Sequence, residues 1–184
     1  MIVVISAPSG AGKTTIIKEL LKLKPEYKFS VSATTREKRN EEQHGVDYYF
    51  IGKNEFEKKI KADEFIEFEE VHGNLYGTLV KELETFKNSR DVIVLDVDVK
   101  GAMSVKSRFQ DSLLIYIDVP KEELLNRLTN RKTEDGSVIK KRLERIETEE
   151  KFKNKFEYIV DNSSQTKIEE AAIKIKNIIE GNKK

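Results

Sequence analysis

Apolar residues along this chain fall into two rhythms that take turns. Ile2-Val3-Val4-Ile5 is an unbroken apolar run, and similar runs recur at Val92-Ile93-Val94-Leu95 and Leu113-Leu114-Ile115-Tyr116-Ile117. Runs of this kind suit a parallel strand buried on both faces. Between them the spacing becomes helical. Ile16, Ile17, Leu20 and Leu21 form one stripe that ends near Pro25, and helices are expected over Leu79–Phe86 and Ala102–Phe109. Pro120 opens another carrying Leu124, Leu125 and Leu128, which residues 131–137 break before Ile139, Leu143 and Ile146 rebuild it. Tyr158-Ile159-Val160 reads as a last short strand, and Ile168, Ala171, Ala172, Ile175 and Ile179 as a closing helix. Strands alternating with helices predict a parallel sheet covered on both faces, a three-layer α/β sandwich.

Residues 33–79 follow a different pattern. Phe29 and Val31 alternate with polar residues, and residues 36–47 offer almost nothing to bury, as in a solvated or a binding loop. Tyr48-Tyr49-Phe50-Ile51 is strand-like, and Asn54 with Glu57 reads as the cap of a helix carrying Phe56 and Ile60. Phe65-Ile66-Glu67-Phe68-Glu69 alternates strictly, then His72-Gly73-Asn74 turns into Leu75-Tyr76-Gly77-Thr78. A small sheet-plus-helix insertion is expected.

Composition acts mainly by exclusion. The 184 residues suit one domain with a sizeable core. Lys and Arg number 34 against 33 Asp and Glu, so no global field calls for nucleic acid or an anionic membrane, and neither is expected as a partner. The opening apolar run is too short for a signal peptide or a membrane span. The absence of cysteine excludes disulfides and thiolate metal sites and fits a cytoplasmic location. His44 and His72 are too few and too far apart to suggest a metal centre. Nothing in the pattern specifies an oligomeric state.

Candidate chemistry concentrates first between the opening strand and the first helix. Ala7-Pro8-Ser9-Gly10-Ala11-Gly12-Lys13-Thr14 has the strand–loop–helix context of a phosphate-binding loop, with Ala7 where the pattern G-x-x-x-x-G-K-[ST] has glycine. Its backbone N–H groups, the positive end of the helix and Lys13 suit a polyphosphate, and the Thr14 hydroxyl suits a Mg²⁺ on those phosphates. Asp96 ends a buried strand with Asp98 two residues on. A metal-holding carboxylate and a turn-capping one are both open to them. Ser32, Arg36 and Arg39, with the phenols of Tyr48 and Tyr76, suit a second phosphate, because a guanidinium binds two oxygens at once. Glu67 with Thr78 is able to accept the adjacent N1–H and N2 amino protons of a guanine, yet spacing alone equally allows Glu67 to be an outward strand residue. Arg127, Arg131, Arg142 and Arg145 flank the break at 131–137 and read as the arms of a closing lid, while Arg145, with Lys140 and Lys141, equally suits ordinary decoration of a surface helix.

Together these motifs resemble the guanylate kinase family. Ser6–Lys13 is similar to the bacterial form of its phosphate loop, Ala7 included. Phe29–Arg36, then Arg39, Glu42, Gly45, Asp47 and Tyr48, is similar to its signature stretch. Phe65-Ile66-Glu67, Gly73–Thr78 and Leu95-Asp96-Val97-Asp98 follow in the family's order. The chain differs at Asp161-Asn162-Ser163-Ser164, where the family often has an Asn-Asp-Asp-like run, and at Leu75, where it often has Tyr. The resemblance implies a single P-loop NTPase-type α/β domain over 1–184: core segments 1–32, 80–126 and 143–184, a GMP-binding insertion over 33–79 and a helical lid over 127–142. It implies transfer from ATP to GMP, and dGMP, with Mg²⁺. By that likeness Ser32, Arg36, Arg39, Tyr48 and Tyr76 would hold the GMP phosphate, with Glu42 in the same loop, and Glu67, Thr78 and Asp98 would read guanine. Lys13, Arg131 and Arg142 would carry the transferring charge, with Arg127 near ATP and Thr14 and Asp96 toward the metal.

Competing classes are a non-catalytic module of the same fold and a related ribose-phosphate kinase. The intact Lys13-Thr14 pair speaks against the first, and Glu67 beside Thr78 against the second. Asn154-Lys155-Phe156-Glu157 is not the Asn-Lys-x-Asp run by which a GTPase reads guanine.

Overall fold

The computed structural model describes residues 1–71, 73–84, 91–129 and 146–183. His72, Arg131, Arg142, Arg145 and the break at 131–137 therefore lie outside the described residues, as do most of the expected lid and the positions of Ile139 and Leu143.

Two sheets form. The first has five strands, β1 (Ile2–Ser6), β2 (Lys28–Phe29), β7 (Ile93–Asp96), β8 (Leu113–Asp118) and β9 (Tyr158–Asp161), in the order β2-β7-β1-β8-β9 with every pair parallel. Its central strands bury both faces, which is why they read as continuous apolar runs. Val3, Ile5, Val94, Ile115 and Ile117 pack on one side with α1 (Lys13–Leu23) and the closing helix α6 (Ile168–Asn182). Val4, Ile93, Leu95, Leu114 and Tyr116 pack on the other with Leu83 of α3 (Val80–Glu84), α4 (Val99–Arg108) and Phe156. Helix, sheet and helix make the three layers. A further helix, α5 (Lys121–Thr129), adds Leu124 to the first of these cores, and residues 146–150 are helical and add Ile146.

The second sheet has the order β4-β3-β6-β5, from β3 (Ala33–Thr34), β4 (Tyr49–Phe50), β5 (Phe65–Val71) and β6 (Asn74–Leu79). Helix α2 (Lys53–Lys61) covers it through Phe56, whose ring stacks on Phe65 at 4.3 Å between centroids. These two, with Ala33 and Leu79, form a separate small core.

Four local expectations need correction. Asn54 does not cap α2: the helix begins at Lys53 behind Gly52, whose extended backbone accepts from the Phe56 N–H at 2.9 Å, and no side-chain cap forms. The chain leaves β4 only two residues earlier, so the turn into the helix comes before Asn54. The alternation at 65–69 is not strict, because the register shifts between Phe65 and Glu67. Phe65 enters the small core and its neighbour Ile66 packs against the main one, as adjacent strand residues do, and the bulge changes the phase after them, at Glu67. Leu79 ends a strand, where its side chain closes the small core, and the helix starts at Val80. Finally, α4 begins at Val99, three residues before Ala102, because Asp98 caps it: its Oδ1 accepts from the Gly101 N–H at 2.8 Å.

Candidate active site

The loop after β1 closes on itself, with the Ala11 N–H donating to the Pro8 carbonyl at 3.0 Å. Gly10 and Gly12 take φ of +87° and +83°, the left-handed region that glycine enters without steric cost. Ala7 does not take a left-handed conformation, and its methyl is buried in the main core, so alanine fits the first position without strain. Helix α1 starts at Lys13 behind Gly12 with no side-chain cap and no acid in its first turn, which leaves its positive end directed at an outside anion.

The exit of β7 stands opposite. Lys13 Nζ pairs with Asp96 Oδ1 at 2.6 Å and donates to the Val97 carbonyl at 2.9 Å, while the Thr14 hydroxyl lies 3.5 Å from Asp96 Oδ2. A hydroxyl and a carboxylate side by side are the hard oxygen donors Mg²⁺ prefers. Among the described residues no group of three or more Asp, Glu, His or Cys could cage a metal. The donor set thus fits a Mg²⁺ completed by phosphate oxygens and water.

A cavity of about 730 Å³ runs from this loop to the second sheet. Its wall takes in Ala7–Thr15, Asp96 and Asp98 on one side and Ser32, Tyr48, Glu67 and Tyr76 on the other. Those residues, from distant parts of the sequence, are brought together. Arg36 stands just behind: its guanidinium pairs with Glu42 at 2.6 Å, donates to the Glu37 carbonyl at 2.7 Å and lies 5.6 Å over the Tyr48 ring. The other Glu42 oxygen accepts from the Arg39 N–H at 2.9 Å, so this carboxylate organises the arginine loop, and Arg36 holds its pKa down at about 2. The Tyr48 and Tyr76 rings meet edge to face at 5.9 Å, and burial together with the Asp96 charge raises the Tyr48 phenol.

Glu67 comes from the bulge in β5. Thr78, buried across the hairpin, donates its hydroxyl to Glu67 Oε1 at 2.7 Å. On the other flank a Cβ at Gly101 would stand 3.1 Å from the Glu67 carboxyl, so the bare glycine of α4 forms its wall. Burial pushes the Glu67 carboxyl up to about 7, against the pull of Thr78 and with help from the Asp98 charge. Asp98 lines the cavity and caps α4 at once, which is the capping role its sequence position left open.

Arg127 does not line the cavity. It pairs with Glu123 at 2.5 Å and donates to the Asn162 carbonyl at 2.8 Å. Arg39 also lies off the wall, on the exposed side of its loop.

Sequence reasoning missed three participants. Glu149 is buried and lines the cavity, but it sits in the run Glu147-Thr148-Glu149-Glu150, which looks like a solvated face. Gly101 carries no signal apart from its closeness to Glu67. Asn162 donates its buried side-chain amide to the Ala11 carbonyl at 2.7 Å across 151 residues of sequence.

A family model described as guanylate kinase matches residues 1–182. This chain belongs to the guanylate kinase family. Among its relatives, the guanylate kinase of Chlorobium chlorochromatii is 48% identical over 90% of this chain and 88% of its own. That of Thermotoga maritima is 46% identical over 88% and 78%. A crystal structure of guanylate kinase from Anaplasma phagocytophilum superimposes with a TM-score of 0.79 at 31% identity, covering all of this chain and 86% of the other. Shikimate kinase from Aquifex aeolicus, at 18% identity and a TM-score of 0.52, shares the fold alone. Among the described residues no helix is long and apolar enough to cross a membrane.

Proposed function

We propose that the cavity between the two sheets is a two-nucleotide transfer site, with the loop Ala7–Thr14 as its ATP side and the second sheet as its GMP side. The protein is a guanylate kinase: it phosphorylates GMP with ATP, giving GDP and ADP, and uses Mg²⁺. What carries the division of labour is that an anion-seeking loop lines the same cavity as the phenols of Tyr48 and Tyr76 and the Glu67 carboxyl, with the Arg36 guanidinium over the Tyr48 ring behind them.

In this reading Lys13, the loop amides and Gly10 to Thr14 hold the β- and γ-phosphates. Thr14 and Asp96 face the Mg²⁺, which spreads the phosphate charge when bound. Ser32, Arg36, Arg39, Tyr48 and Tyr76 hold the GMP phosphate, Glu42 keeps Arg36 and Arg39 in place, and Glu67, Thr78 and Asp98 read the base. One GMP phosphate oxygen forms a bond to Pγ as the bond from Pγ to its bridging oxygen breaks, and ADP leaves with that electron pair. No covalent enzyme intermediate is needed; positioning and charge neutralisation suffice. Arg131 and Arg142 are assigned to a lid over 127–142 that brings positive charge onto the transferring group, residues 33–79 to the GMP-binding insertion, and the cytoplasm as location.

Calorimetric titration of each nucleotide tests the division. Lys13→Ala is expected to weaken ATP and leave GMP within about twofold, and Glu67→Gln to do the reverse. Loss of both affinities in either variant contradicts separate sites.

A further inference from the structure

Asn162 follows directly on β9, and its backbone N–H, its carbonyl and its side-chain NH2 are all engaged. Its backbone N–H donates to the Asp118 carbonyl at the end of β8 at 2.8 Å, and its carbonyl accepts from Arg127 at 2.8 Å. Its side-chain amide donates to the Ala11 carbonyl inside the phosphate loop at 2.7 Å, where it is only 3% exposed. The surrounding segment is stiffened from both sides. Glu123 pairs with Arg127 through one oxygen and accepts from the Ser164 N–H at 2.9 Å through the other. Asp161 accepts from the hydroxyls of Ser163 and Thr166. A Cβ on Gly12 would stand 2.9 Å from the Asn162 amide nitrogen, so that amide fills the space beside Gly12.

A trans peptide points its C=O and N–H in opposite directions. Anchoring the Ala11 carbonyl on Asn162 therefore turns the Gly12 N–H to the other side of the loop, where Gly12 lines the cavity. Without the anchor this peptide is free to rotate, and a rotated peptide would present a carbonyl oxygen to a bound phosphate.

We propose that Asn162 is a positioning residue for the ATP side of the site: its amide, held by Asp118 and Arg127, locks the Ala11–Gly12 peptide in the orientation that binds phosphate. This rests on the reading of Ala7–Thr14 as the ATP loop.

The test compares Asn162→Ala and Asn162→Asp with the unaltered protein, by calorimetric Kd and steady-state KM for ATP and for GMP. Losing one buried hydrogen bond and freeing the peptide is expected to raise Kd and KM for ATP about tenfold in Asn162→Ala, with the GMP values within about twofold. Asn162→Asp keeps the shape but sets a carboxylate against the Ala11 carbonyl, so at pH 8 it is expected to bind ATP no better than Asn162→Ala. ATP affinity in Asn162→Asp equal to that of the unaltered protein at pH 8 overturns the proposal, as does equal weakening of ATP and GMP, which would mark a merely structural role. Should either variant fail to fold, Asn162→Ser, whose hydroxyl is too short to reach Ala11, gives the same reading on the same criteria. Lys13→Ala separates the two levels: if it leaves ATP binding intact the loop assignment itself falls, whereas a weak Lys13→Ala beside unaffected Asn162 variants removes only the positioning role.

Discussion

Lys13 and Glu67 both line the cavity, and different physics governs each. Lys13 is useful for its charge, held by Asp96 and the Val97 carbonyl at the exit of β7. Lys13→Ala removes that charge from the phosphates, and turnover is expected to fall by at least ~10² on the scale of a lost electrostatic stabiliser, read in a steady-state assay. Glu67 is instead governed by desolvation. Its carboxyl is raised from 4.5 to about 7. The folded state therefore binds a proton that the unfolded state releases between these values, and the stability this brings is present below about pH 4.5 and lost as pH rises through about 7. The shift corresponds to roughly 3 kcal/mol. Urea unfolding should show Glu67→Gln gaining on the unaltered protein between pH 5 and pH 8; parallel pH profiles would contradict the raised carboxyl. In the proposed reading guanine is bound by the carboxylate as acceptor, so KM for GMP is expected to rise as pH drops below 7 in the unaltered protein and much less in Glu67→Gln. At this scale the sequence made Lys13 and Asp96 legible, because Lys13 opens a helix behind a glycine-bearing loop and Asp96 ends a buried strand. Asn162 and Gly101 were not, since their importance lies in contacts with residues far away in sequence that no local pattern records.

Among the elements, the β5–β6 hairpin is the one whose details matter most. Phe65 and Ile66 serve a core on each face of the strand, and the bulge between Phe65 and Glu67 resets the pleat at Glu67. Gly77 makes this possible: a Cβ there would stand 2.8 Å from the Phe65 ring and 2.9 Å from the Glu67 carbonyl. Gly77→Ala must push the strands apart, and a loss of about 1–3 kcal/mol is expected in urea unfolding, along with a raised KM for GMP. An unchanged midpoint would mean that the hairpin yields freely there. Gly101→Ala tests the other wall: its Cβ would crowd the Glu67 carboxyl at 3.1 Å, so KM for GMP should rise several-fold while KM for ATP holds. Strand and helix identities were readable from periodicity, since burial on two faces and burial on one leave different traces. The bulge was not, because Phe65-Ile66-Glu67-Phe68-Glu69 is equally compatible with an unbroken pleat.

Across the whole molecule, function follows from how two sheets face one cavity. The parallel sheet sets the loop Ala7–Thr14 and Asp96 at the carboxyl ends of its strands, as open α/β folds do with their ligands. The mixed sheet answers with tyrosines, Arg36 and Glu67. Alternating rhythms along the chain were enough to expect a sandwich with an insertion, yet no rhythm could say that the insertion's face would turn toward the loop. That orientation comes from long-range packing, chiefly Ile66 against the main core and α4 against β5. The central claim is that this cavity joins ATP to GMP and to no other common monophosphate. Its most direct measurement is a coupled ADP-release assay with ATP and Mg²⁺ and, in turn, GMP, AMP, UMP, CMP and a ribose bisphosphate as acceptor. ADP release that depends on GMP, with the other acceptors slower by orders of magnitude, is the predicted result; no GMP-dependent release, or release as fast with AMP or the ribose bisphosphate, would contradict it.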